Sequence, residues 1–376
     1  MKAAEHSQTI VHQISKIKRQ VFSHPQLIRI LIVSMFLILI LGGFYRQWGR
    51  NINLIALIGQ SQTAVRHFID PTSALTQTNN RTNILILGIG GADHQAADLT
   101  DSIILVSIKV KEPDILVLPL PRDIWIPSLR AKLNTAYHYG EQKQTSGGGL
   151  ILAKAAVSEI TDLPIHYVIL IDFEGFKKLI DLLGGVDVEV TRSFDDYRYP
   201  IPGKENAEPE ELRYEHIHFE AGRQPMNGET ALKYVRSRNA EGDEGTDLAR
   251  SERQKQILLA IKNKFLSTKV IFNKSKLLKI KDTIEDSLIT DIDQNLYPAM
   301  ARLALDFKSK NLKSANIPIY LETNNGNTAS ESALLIHPEI DNQYDYQWVL
   351  EPKSGDFTQI HEYIKCLITK QVNSCP

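Results

Sequence analysis

One stretch in the second half of the chain, YVRSRNAEGDEGTDLARSERQ, concentrates arginines at regular spacing. Arg236 and Arg238 are two residues apart, so an extended backbone turns both to the same face. Arg250 and Arg253 are three apart and share one face of a helix, with Gln254 next. Arginine stays charged and binds phosphate or carboxylate through two parallel donors. The stretch therefore predicts an anion-binding clamp or, as the alternative, a solvated charged surface with local ion pairs.

Three further charged residues stand where strands are predicted to begin or end. Asp101 precedes the apolar run SIILVSIKV, and Arg122 and Asp123 follow DILVLPLP. Sites on α/β folds form at such strand ends. Carboxylates beside several arginines suit a pyrophosphate, because the arginines bind phosphate oxygens while Asp101 and Asp123 hold a Mg²⁺ that neutralises the remaining charge. Ordinary turn chemistry at the strand ends is the alternative for each aspartate.

The chain as a whole is almost neutral. Its 376 residues include 43 Lys or Arg against 44 Asp or Glu, which gives a formal net charge of −1. A general nucleic-acid-binding protein needs excess positive charge to displace counterions, so the composition argues against that class. The hydrophobic fraction of 43% predicts a packed globular core. The only two cysteines, Cys366 and Cys375, leave open a disulfide formed outside the cytoplasm or two free thiols.

An apolar segment near the N-terminus predicts a membrane anchor. The run LIRILIVSMFLILILGGFY, residues 27–45, is about as long as a bilayer core requires. A buried core helix would keep a polar stripe, and a cleaved signal peptide would have a shorter apolar part followed by a small-residue cleavage site. The run has no polar stripe, and no small-residue cleavage site follows it. Basic residues are more numerous before the run, so we expect residues 1–26 to form a cytoplasmic tail and 46–82 an external juxtamembrane stalk.

The elements that must position the charged residues predict an α/β domain over residues 83–267. Strand-like runs such as NILILGI and HYVILIDF alternate with helical segments, among them EGFKKLIDLLGG. We therefore expect a central mixed β-sheet covered by helices on both faces. The polar and acidic segment from Phe194 to Phe219 is expected to form an exposed excursion. Residues 268–376 are expected to form a C-terminal extension packed on the core.

Several motifs together resemble the LytR-CpsA-Psr family: NILILG, TDSIILVSI, LPRDIWIP, KLNTAYHYG, DFEGFKKLIDLLGGVDVEV, NGETALKYVRSR and RSERQKQ, in that order. The resemblance covers roughly residues 83–267, about half of the chain. It implies a Mg²⁺-dependent transferase of cell wall biogenesis, which moves a glycopolymer from a polyprenyl-pyrophosphate carrier to a hydroxyl of peptidoglycan. It also implies a single-pass protein of the cell membrane with an extracellular catalytic domain.

The resemblance further implies roles for individual positions. Those that match pyrophosphate-binding residues of the family are Arg122, Arg236, Arg238, Arg250, Arg253, Gln254 and Asn134. Asp101 matches a magnesium-binding aspartate, and Asp123 is the second carboxylate expected at the metal. In catalysis Arg122, Arg236 and Arg238 would stabilise the leaving group and the equatorial oxygens of the phosphorus. Asp123 would accept or orient the proton of the attacking hydroxyl, or would instead hold an arginine in place.

One part of the chain departs from the family pattern. Where the family has Gly-Ser-Asp-x-Arg and later an Arg ahead of the second aspartate, this chain has GIGG, beginning at Gly88, and LTD, ending at Asp101. A metal-side carboxylate and two basic contacts are therefore missing, and Asp93, His94 or Asp98 are the candidates to replace them. Two alternative functions follow: hydrolysis of the lipid pyrophosphate, and non-catalytic binding of an anionic polymer or of polyprenyl phosphate.

Overall fold

The computed structural model describes residues 54–91, 97–111, 114–144, 146–204, 206–267, 270, 273–306, 312–320, 333–370 and 374–375. The chain divides into two compact units, Met1–Thr63 and Ala64–Pro376, and the description below concerns the second. The predicted membrane span, residues 27–45, lies outside the described residues. Among the helices that are described, none combines the length and the apolar character needed to cross a bilayer.

The helices and strands of the described residues follow one another as expected for an α/β chain. The helices are α1 (Leu54–Ile69), α2 (Ala136–Lys143), α3 (Gly148–Thr161), α4 (Phe173–Leu183), α5 (Gly228–Arg236), α6 (Asp247–Phe265), α7 (Lys274–Ser287), α8 (Tyr297–Asp306) and α9 (Thr358–Thr369). The strands are β1 (Arg81–Ile89), β2 (Thr100–Lys109), β3 (Ile115–Pro119), β4 (Trp125–Ile126), β5 (Ala131–Lys132), β6 (Tyr167–Asp172), β7 (Val186–Val190), β8 (Phe194–Pro200), β9 (Tyr214–Phe219), β10 (Gly222–Met226), β11 (Leu288–Thr290), β12 (Leu312–Ser314), β13 (Leu335–Ile336) and β14 (Glu351–Pro352).

The central sheet is mixed, as the sequence predicts. Its strand order is β11-β6-β1-β2-β3-β12. β1 pairs antiparallel with β2, with Leu85 opposite Leu105, and parallel with β6, with Leu87 opposite Leu170. β2 and β3 pair antiparallel, which confirms the hairpin expected from their two apolar runs. The central position of β1 explains its apolar sequence, because it is bonded on both edges and covered on both faces.

Helices cover both faces of this sheet. Successive side chains of a strand point to opposite faces, so β1 contributes to two separate cores. Leu85 packs in one core with Val157 of α3 and Ile360 of α9. Ile84 packs in the other with Leu303 of α8. The predicted layer arrangement, a sheet between two layers of helices, is therefore present.

A third core lies in the part of the chain that carries the arginine-rich stretch. β7 pairs with β10 and β8 with β9, both antiparallel. These strands and helices α5 and α6 enclose a cluster to which each contributes, including Val188, Phe194, Phe219, Tyr234 and Ile257. The arginines are thereby mounted on a packed lobe and not on a free loop.

The segment from Phe194 to Phe219 corrects one expectation. It is not an exposed excursion, since β8 and β9 form a hairpin in which Phe194, Tyr199, Ile217 and Phe219 are buried. Polar residues alternate with these apolar ones along the strands, and most of the prolines and acidic residues lie in the connection between them. The average composition of the segment therefore conceals a strand pattern.

Residues from the predicted C-terminal extension, 268–376, complete the central sheet. β11 pairs with β6 at one edge, and β12 pairs with β3 at the other. The same part of the chain supplies α8 to one face and α9 to the opposite face. The compact unit continues to Pro376 without a boundary near residue 267. Cys366 in α9 and Cys375 form a disulfide, which decides between the two states left open by the sequence.

Candidate functional site

Residues from distant parts of the chain line one small cavity at the end of the central sheet. Asp101 is the second residue of β2, Arg122 follows β3, and Arg236 ends α5. The cavity has a volume of about 180 Å³, and its lining residues are Asp101, Ser102, Arg122, Phe173, Tyr199, Pro200, Val235, Arg236, Arg238 and Arg250. Four predicted anion-binding arginines and one predicted metal-binding aspartate therefore meet in one place.

A larger cleft, of about 1220 Å³, lies at the opposite end of β1 and β2. Three of its charged side chains form a paired group. Arg81 donates from Nη1 to Asp114 Oδ2 (3.1 Å), and Lys313 Nζ lies 3.0 Å from Asp114 Oδ1. Since both cations are engaged by the same carboxylate, size alone does not make this cleft an anion site, and we assign the candidate site to the smaller cavity, where four arginines meet.

The arginines of the small cavity repel one another. The pKa of Arg238 lies below the ordinary arginine value, first because its surroundings remove part of its hydration and then because Arg122 and Arg250 carry the same charge. The carboxylates of Asp101 and Asp123 offset this effect only in part. A cluster of like charges stabilises a bound anion, because the anion relieves the repulsion. The electrostatics thus favour a ligand with more than one negative charge.

Arg122 lies between the two predicted metal-binding aspartates. Its Nη1 donates to Asp101 Oδ1, and its Nε lies 3.4 Å from Asp123 Oδ2, a charge contact without hydrogen-bond geometry. Burial alone would lower the pKa of Arg122, but attraction to Asp101 and Asp123 outweighs it and raises the pKa. Asp123 also accepts a hydrogen bond from Lys132 Nζ at 2.9 Å. Both oxygens of Asp123 therefore face cations, and Asp123 is not among the residues that line the cavity.

Arg236 is held against aromatic rings on the cavity wall. Its guanidinium lies 4.2 Å from the ring centroid of Phe173, the first residue of α4. Its Nη1 donates to the hydroxyl of Tyr199 at 3.3 Å. Stacking on an aromatic face fixes the plane of a guanidinium while leaving donors free for a planar anion. Phe173 and Tyr199 therefore orient Arg236, a role that their place in the sequence does not indicate.

Arg253 lies behind the cavity, and its exposed fraction is only 2%. It donates from Nε to the Tyr234 carbonyl (3.0 Å), from Nη2 to the Ser237 carbonyl (2.7 Å) and from Nη1 to Glu244 Oε2 (3.0 Å). These bonds join α6 to the backbone on both sides of Arg236. The structure thus places Arg253 where it holds the Arg236–Arg238 segment, whereas Arg250, one turn earlier on α6, lines the cavity. α6 is capped by Thr246, which accepts from the Ala249 amide at 3.2 Å.

Asp196 of β8 holds the same segment from the other side. Its carboxylate is completely buried and accepts from Ser237 Oγ (2.7 Å), the Asn239 amide (3.2 Å) and the Arg238 amide (3.3 Å). A buried carboxylate with several donors fixes the backbone that follows Arg236 and carries Arg238. Sequence reasoning missed Asp196 because it assigned β8 to an exposed segment.

The remaining predicted residues lie outside the cavity lining. Asn134 is buried beside Arg122, and its backbone N–H donates to the Arg122 carbonyl at 3.0 Å. Gln254 lies on α6 next to Arg253. Of the candidates to replace the missing family residues, Asp98 accepts through Oδ2 from His138 Nδ1 at 2.5 Å, and Asp93 and His94 lie outside the described residues. Their predicted roles stay predictions.

The carboxylates present are compatible with a magnesium ion that is shared with a ligand. Mg²⁺ commonly takes one or two carboxylates and completes its shell with phosphate oxygens and water. Asp101 supplies one such carboxylate at the cavity, whereas both oxygens of Asp123 face Arg122 and Lys132 and would have to exchange one of these cations for the metal. In the part of the chain that the structure describes, no group of three His, Cys, Asp or Glu side chains could hold a metal. A magnesium ion here would therefore depend on oxygens of a bound pyrophosphate.

Comparison with protein families matches residues 57–343 to the model of the LytR_cpsA_psr family. The chain belongs to the LytR-CpsA-Psr family. The match confirms the resemblance found from the motifs and extends it well beyond residue 267. It includes β11 and β12, the edge strands of the central sheet.

Named relatives of this LytR-CpsA-Psr protein include transferases. The polyisoprenyl-teichoic acid–peptidoglycan teichoic acid transferase TagV of Bacillus subtilis is 30% identical over 253 residues, which cover 65% of this chain and 59% of the relative. The TagU transferase of Oceanobacillus iheyensis is 29% identical over 277 residues, covering 70% and 76% respectively. The alignment thus spans less than two thirds of TagV.

Solved structures show the same fold. The crystal structure of B. subtilis TagV superposes with a TM-score of 0.51 at 24% identity, over 78% of this chain and 100% of that one. A protein from Streptococcus agalactiae superposes with a TM-score of 0.53 at 22% identity, over 82% and 93%. The mixed sheet with its covering helices is therefore the fold of this family.

Proposed function

We propose that this protein is a membrane-anchored phosphotransferase that moves a glycopolymer from a polyprenyl-pyrophosphate carrier to peptidoglycan. The observation that carries the proposal is the convergence of Arg122, Arg236, Arg238 and Arg250 with Asp101 on one cavity. A pyrophosphate offers the dense negative charge that this cluster lacks. The names of the TagV and TagU relatives supply the class of donor and acceptor.

The arginines bind the donor and stabilise the transition state. In phosphoryl transfer, charge spreads over the equatorial oxygens and the leaving oxygen, and positioned cations stabilise it. The guanidinium of Arg236 is held against Phe173, and the backbone amide of Arg238 is held by Asp196, before the donor binds. Because they need not reorganise during the reaction, their charge lowers the barrier and does not only tighten binding.

The transfer forms one bond and breaks another at the same phosphorus. The oxygen of a peptidoglycan hydroxyl attacks the sugar-linked phosphorus, and the bond to the bridging oxygen breaks, so polyprenyl phosphate departs with the electron pair. The hydroxyl proton passes to a carboxylate or to water. Both aspartates pair with Arg122, but only Asp101 lines the cavity, so Asp101 is closer to this task, whereas Asp123, held by Arg122 and Lys132, suits the orientation of Arg122.

Magnesium and the membrane anchor are part of the proposal. Asp101 and Asp123 would hold the ion, which when bound supplies further positive charge to the phosphate oxygens. The apolar run at residues 27–45 would keep the catalytic unit at the outer surface of the cell membrane, where a polyprenyl carrier and peptidoglycan are both within reach.

The proposal is tested with the purified full-length chain in detergent micelles. It is incubated with a polyprenyl-pyrophosphate glycan and Mg²⁺, with or without peptidoglycan fragments, and both released polyprenyl phosphate and glycan-bearing fragments are measured. We expect release that requires the fragments and matches the amount of product. Release at the same rate without fragments would show hydrolysis, and binding without release would show a non-catalytic protein.

A pair of variants connects the activity to the cavity. Arg236→Ala should abolish most of the release, because it removes a guanidinium that lines the cavity. Arg192→Ala is the matched control, since Arg192 is 62% exposed and pairs only with the exposed Asp243 among the described contacts. Equal losses in both variants would separate the activity from the cavity.

A further inference from the structure

A small layer of paired segments connects the candidate site to the C-terminal part of the chain. Ile124 and Leu350 form a parallel bridge, in which the Leu350 amide donates to the Asp123 carbonyl (2.9 Å) and the Trp125 amide to the Leu350 carbonyl (2.8 Å). In a parallel pair the residues that precede each partner lie at the same end. Arg122 lies two residues before Ile124 and Trp348 two residues before Leu350, so chain length keeps each within roughly 7 Å of this bridge.

Aromatic rings are exposed at that end. Trp348 is 43% exposed and stacks on the ring of His337, with 4.9 Å between ring centroids. His337 Nδ1 lies 3.0 Å from the Val349 carbonyl and can donate to it, which fixes the imidazole beside the indole. Tyr346 is 73% exposed. Since Trp348 lies two residues before Leu350, it is tied within roughly 7 Å of that residue by the length of the chain.

The backbone presents these rings in a fixed arrangement. Asp345 and Tyr346 both have left-handed conformations, with φ of 51° and 57°. A left-handed tyrosine is uncommon and persists only where surrounding contacts hold it. Here the Tyr346 amide donates to the Asp341 carbonyl (2.9 Å), and Tyr344 packs edge-on against Trp125 at 5.3 Å. The exposed side chains therefore project from a turn that is anchored on the segment following Arg122.

We propose that Trp348, His337 and Tyr346 form a platform that binds the glycan strand of the acceptor. The faces of aromatic rings carry negative charge density and attract the C–H groups on the flat side of a pyranose ring. This inference rests on the proposed function, which requires a sugar hydroxyl to arrive next to Arg122. The donor is held by charge, whereas a neutral sugar hydroxyl needs a binding surface of another kind.

The charge around the platform favours the acceptor over the donor polymer. The segment HPEIDNQYDYQWVLE, from His337 to Glu351, contains four acidic residues and neither lysine nor arginine. A polymer rich in phosphate would be repelled by this surface, because like charges in proximity disfavour association. An acceptor glycan without phosphate carries a lower density of negative charge and is repelled less. The platform and the arginine cavity would then sort the two substrates by charge.

The test measures acceptor and donor separately on the full-length chain. Soluble peptidoglycan glycan fragments free of attached polymer are titrated by calorimetry in the absence of donor, and transfer kinetics are then measured against each substrate. We expect Trp348→Ala to raise both the acceptor Kd and the acceptor KM about five- to tenfold, with the donor KM within about twofold of wild type. Trp348→Phe should keep most of the affinity, because it retains an aromatic face.

Tyr197→Ala is the matched control. Tyr197 is also an exposed aromatic residue stacked on a histidine, His216, but on a different hairpin. An unchanged acceptor Kd in Trp348→Ala, or an increase in donor KM instead, would overturn the proposal. A change of oligomeric state in Trp348→Ala would assign the surface to contact between copies and would also overturn it. Because glycan binding is measured without donor, it remains readable even if the wild-type protein shows no transfer.

Discussion

The two ends of the central sheet both hold arginine beside carboxylate, yet they use the charge in opposite ways. At the cleft end, Arg81 is 6% exposed and donates to Ser107, to Asp114 and to backbone carbonyls. At the cavity end, Arg122 is paired with Asp101, but Arg236, Arg238 and Arg250 line the same cavity. Burial, and then the like charges of Arg122 and Arg250, lower the pKa of Arg238. An arginine whose donors are all engaged by neighbouring acceptors stabilises the fold. Arginines held close to one another form a binding site for an anion.

The comparison shows that proximity of opposite charges does not identify a site. What distinguishes the cavity end is the way its arginines are restrained: Arg236 by aromatic rings, and Arg238 by the buried Asp196 acting on its backbone amide. Neither restraint uses up the guanidinium donors on carboxylates. The cations can therefore be held close together in the folded protein and still bind an anion. Four substitutions or conditions test this distinction.

The largest effect is expected at the cleft end. Arg81→Met should lower the free energy of unfolding by about 3–5 kcal/mol, because it removes one partner of a buried charge network. Chemical denaturation measures this loss. Arg223→Met, which changes an arginine whose side chain is 73% exposed, should have little effect. If folded Arg81→Met protein also bound lipid pyrophosphate more weakly, the cleft end would not be purely structural.

Removal of Asp196 should affect both stability and binding. Asp196→Ala leaves the Ser237 hydroxyl and several amides without their acceptor, which should cost about 2–4 kcal/mol of unfolding free energy. The affinity for lipid pyrophosphate should fall as well, because the Arg236–Arg238 turn loses its restraint. Asp196→Asn keeps one oxygen acceptor and should therefore recover part of the unfolding free energy and part of the affinity for lipid pyrophosphate. Loss of stability with unchanged affinity would reduce Asp196 to a fold-stabilising residue.

Arg238→Ala should affect binding alone. Each charge-assisted contact to a phosphate contributes about 1.5–3 kcal/mol, so the affinity for lipid pyrophosphate should fall roughly 10- to 150-fold. The melting temperature should stay the same or rise, since the substitution removes repulsion with Arg122 and Arg250. Arg192→Ala serves again as the exposed control. A lower melting temperature with unchanged affinity for lipid pyrophosphate would mean that Arg238, like Arg81, stabilises the fold and does not bind the ligand.

The smallest effect is a pH dependence at the cleft end. Burial, and then the charge of Lys154, lowers the pKa of His166, whose Nδ1 accepts from the Asn83 amide at 2.9 Å. The pKa of His166 in the folded protein lies below the unfolded value of about 6.5, so folding favours the neutral imidazole. The stabilisation from this preference is complete above about pH 6.5 and is lost as the pH falls below it. Between roughly pH 6.5 and 5, the melting temperature of His166→Asn should decline less steeply than that of the wild type. Equal declines of the melting temperature in the two proteins would exclude His166 as the titrating group.

Much of the site could be predicted because several of its charged residues lie at the ends of helices and strands that the local sequence pattern predicts. Arg122 directly follows an apolar strand. Arg236 ends, and Arg238 follows, a helix that Asn227 caps by accepting from the Thr230 amide. Such patterns fix where a charged side chain leaves an element. Asp196 and Tyr199 were not predictable in this way, since they lie in a segment whose composition suggests exposure. Only pairing with β9 and packing against Phe219 and Tyr234 bury that segment.

The sequence by itself determined the residue types, the α/β alternation and the charge clusters at strand ends. Tertiary structure decided which arginine faces the cavity and which is buried behind it. Arg250 and Arg253 share one face of α6, but Arg253 meets the carbonyls of Tyr234 and Ser237 and becomes internal. Likewise, the bond from Ser237 to Asp196 joins residues 41 positions apart. Such contacts depend on the packing of whole elements, so local spacing could not distinguish a ligand-binding arginine from one that holds it in place.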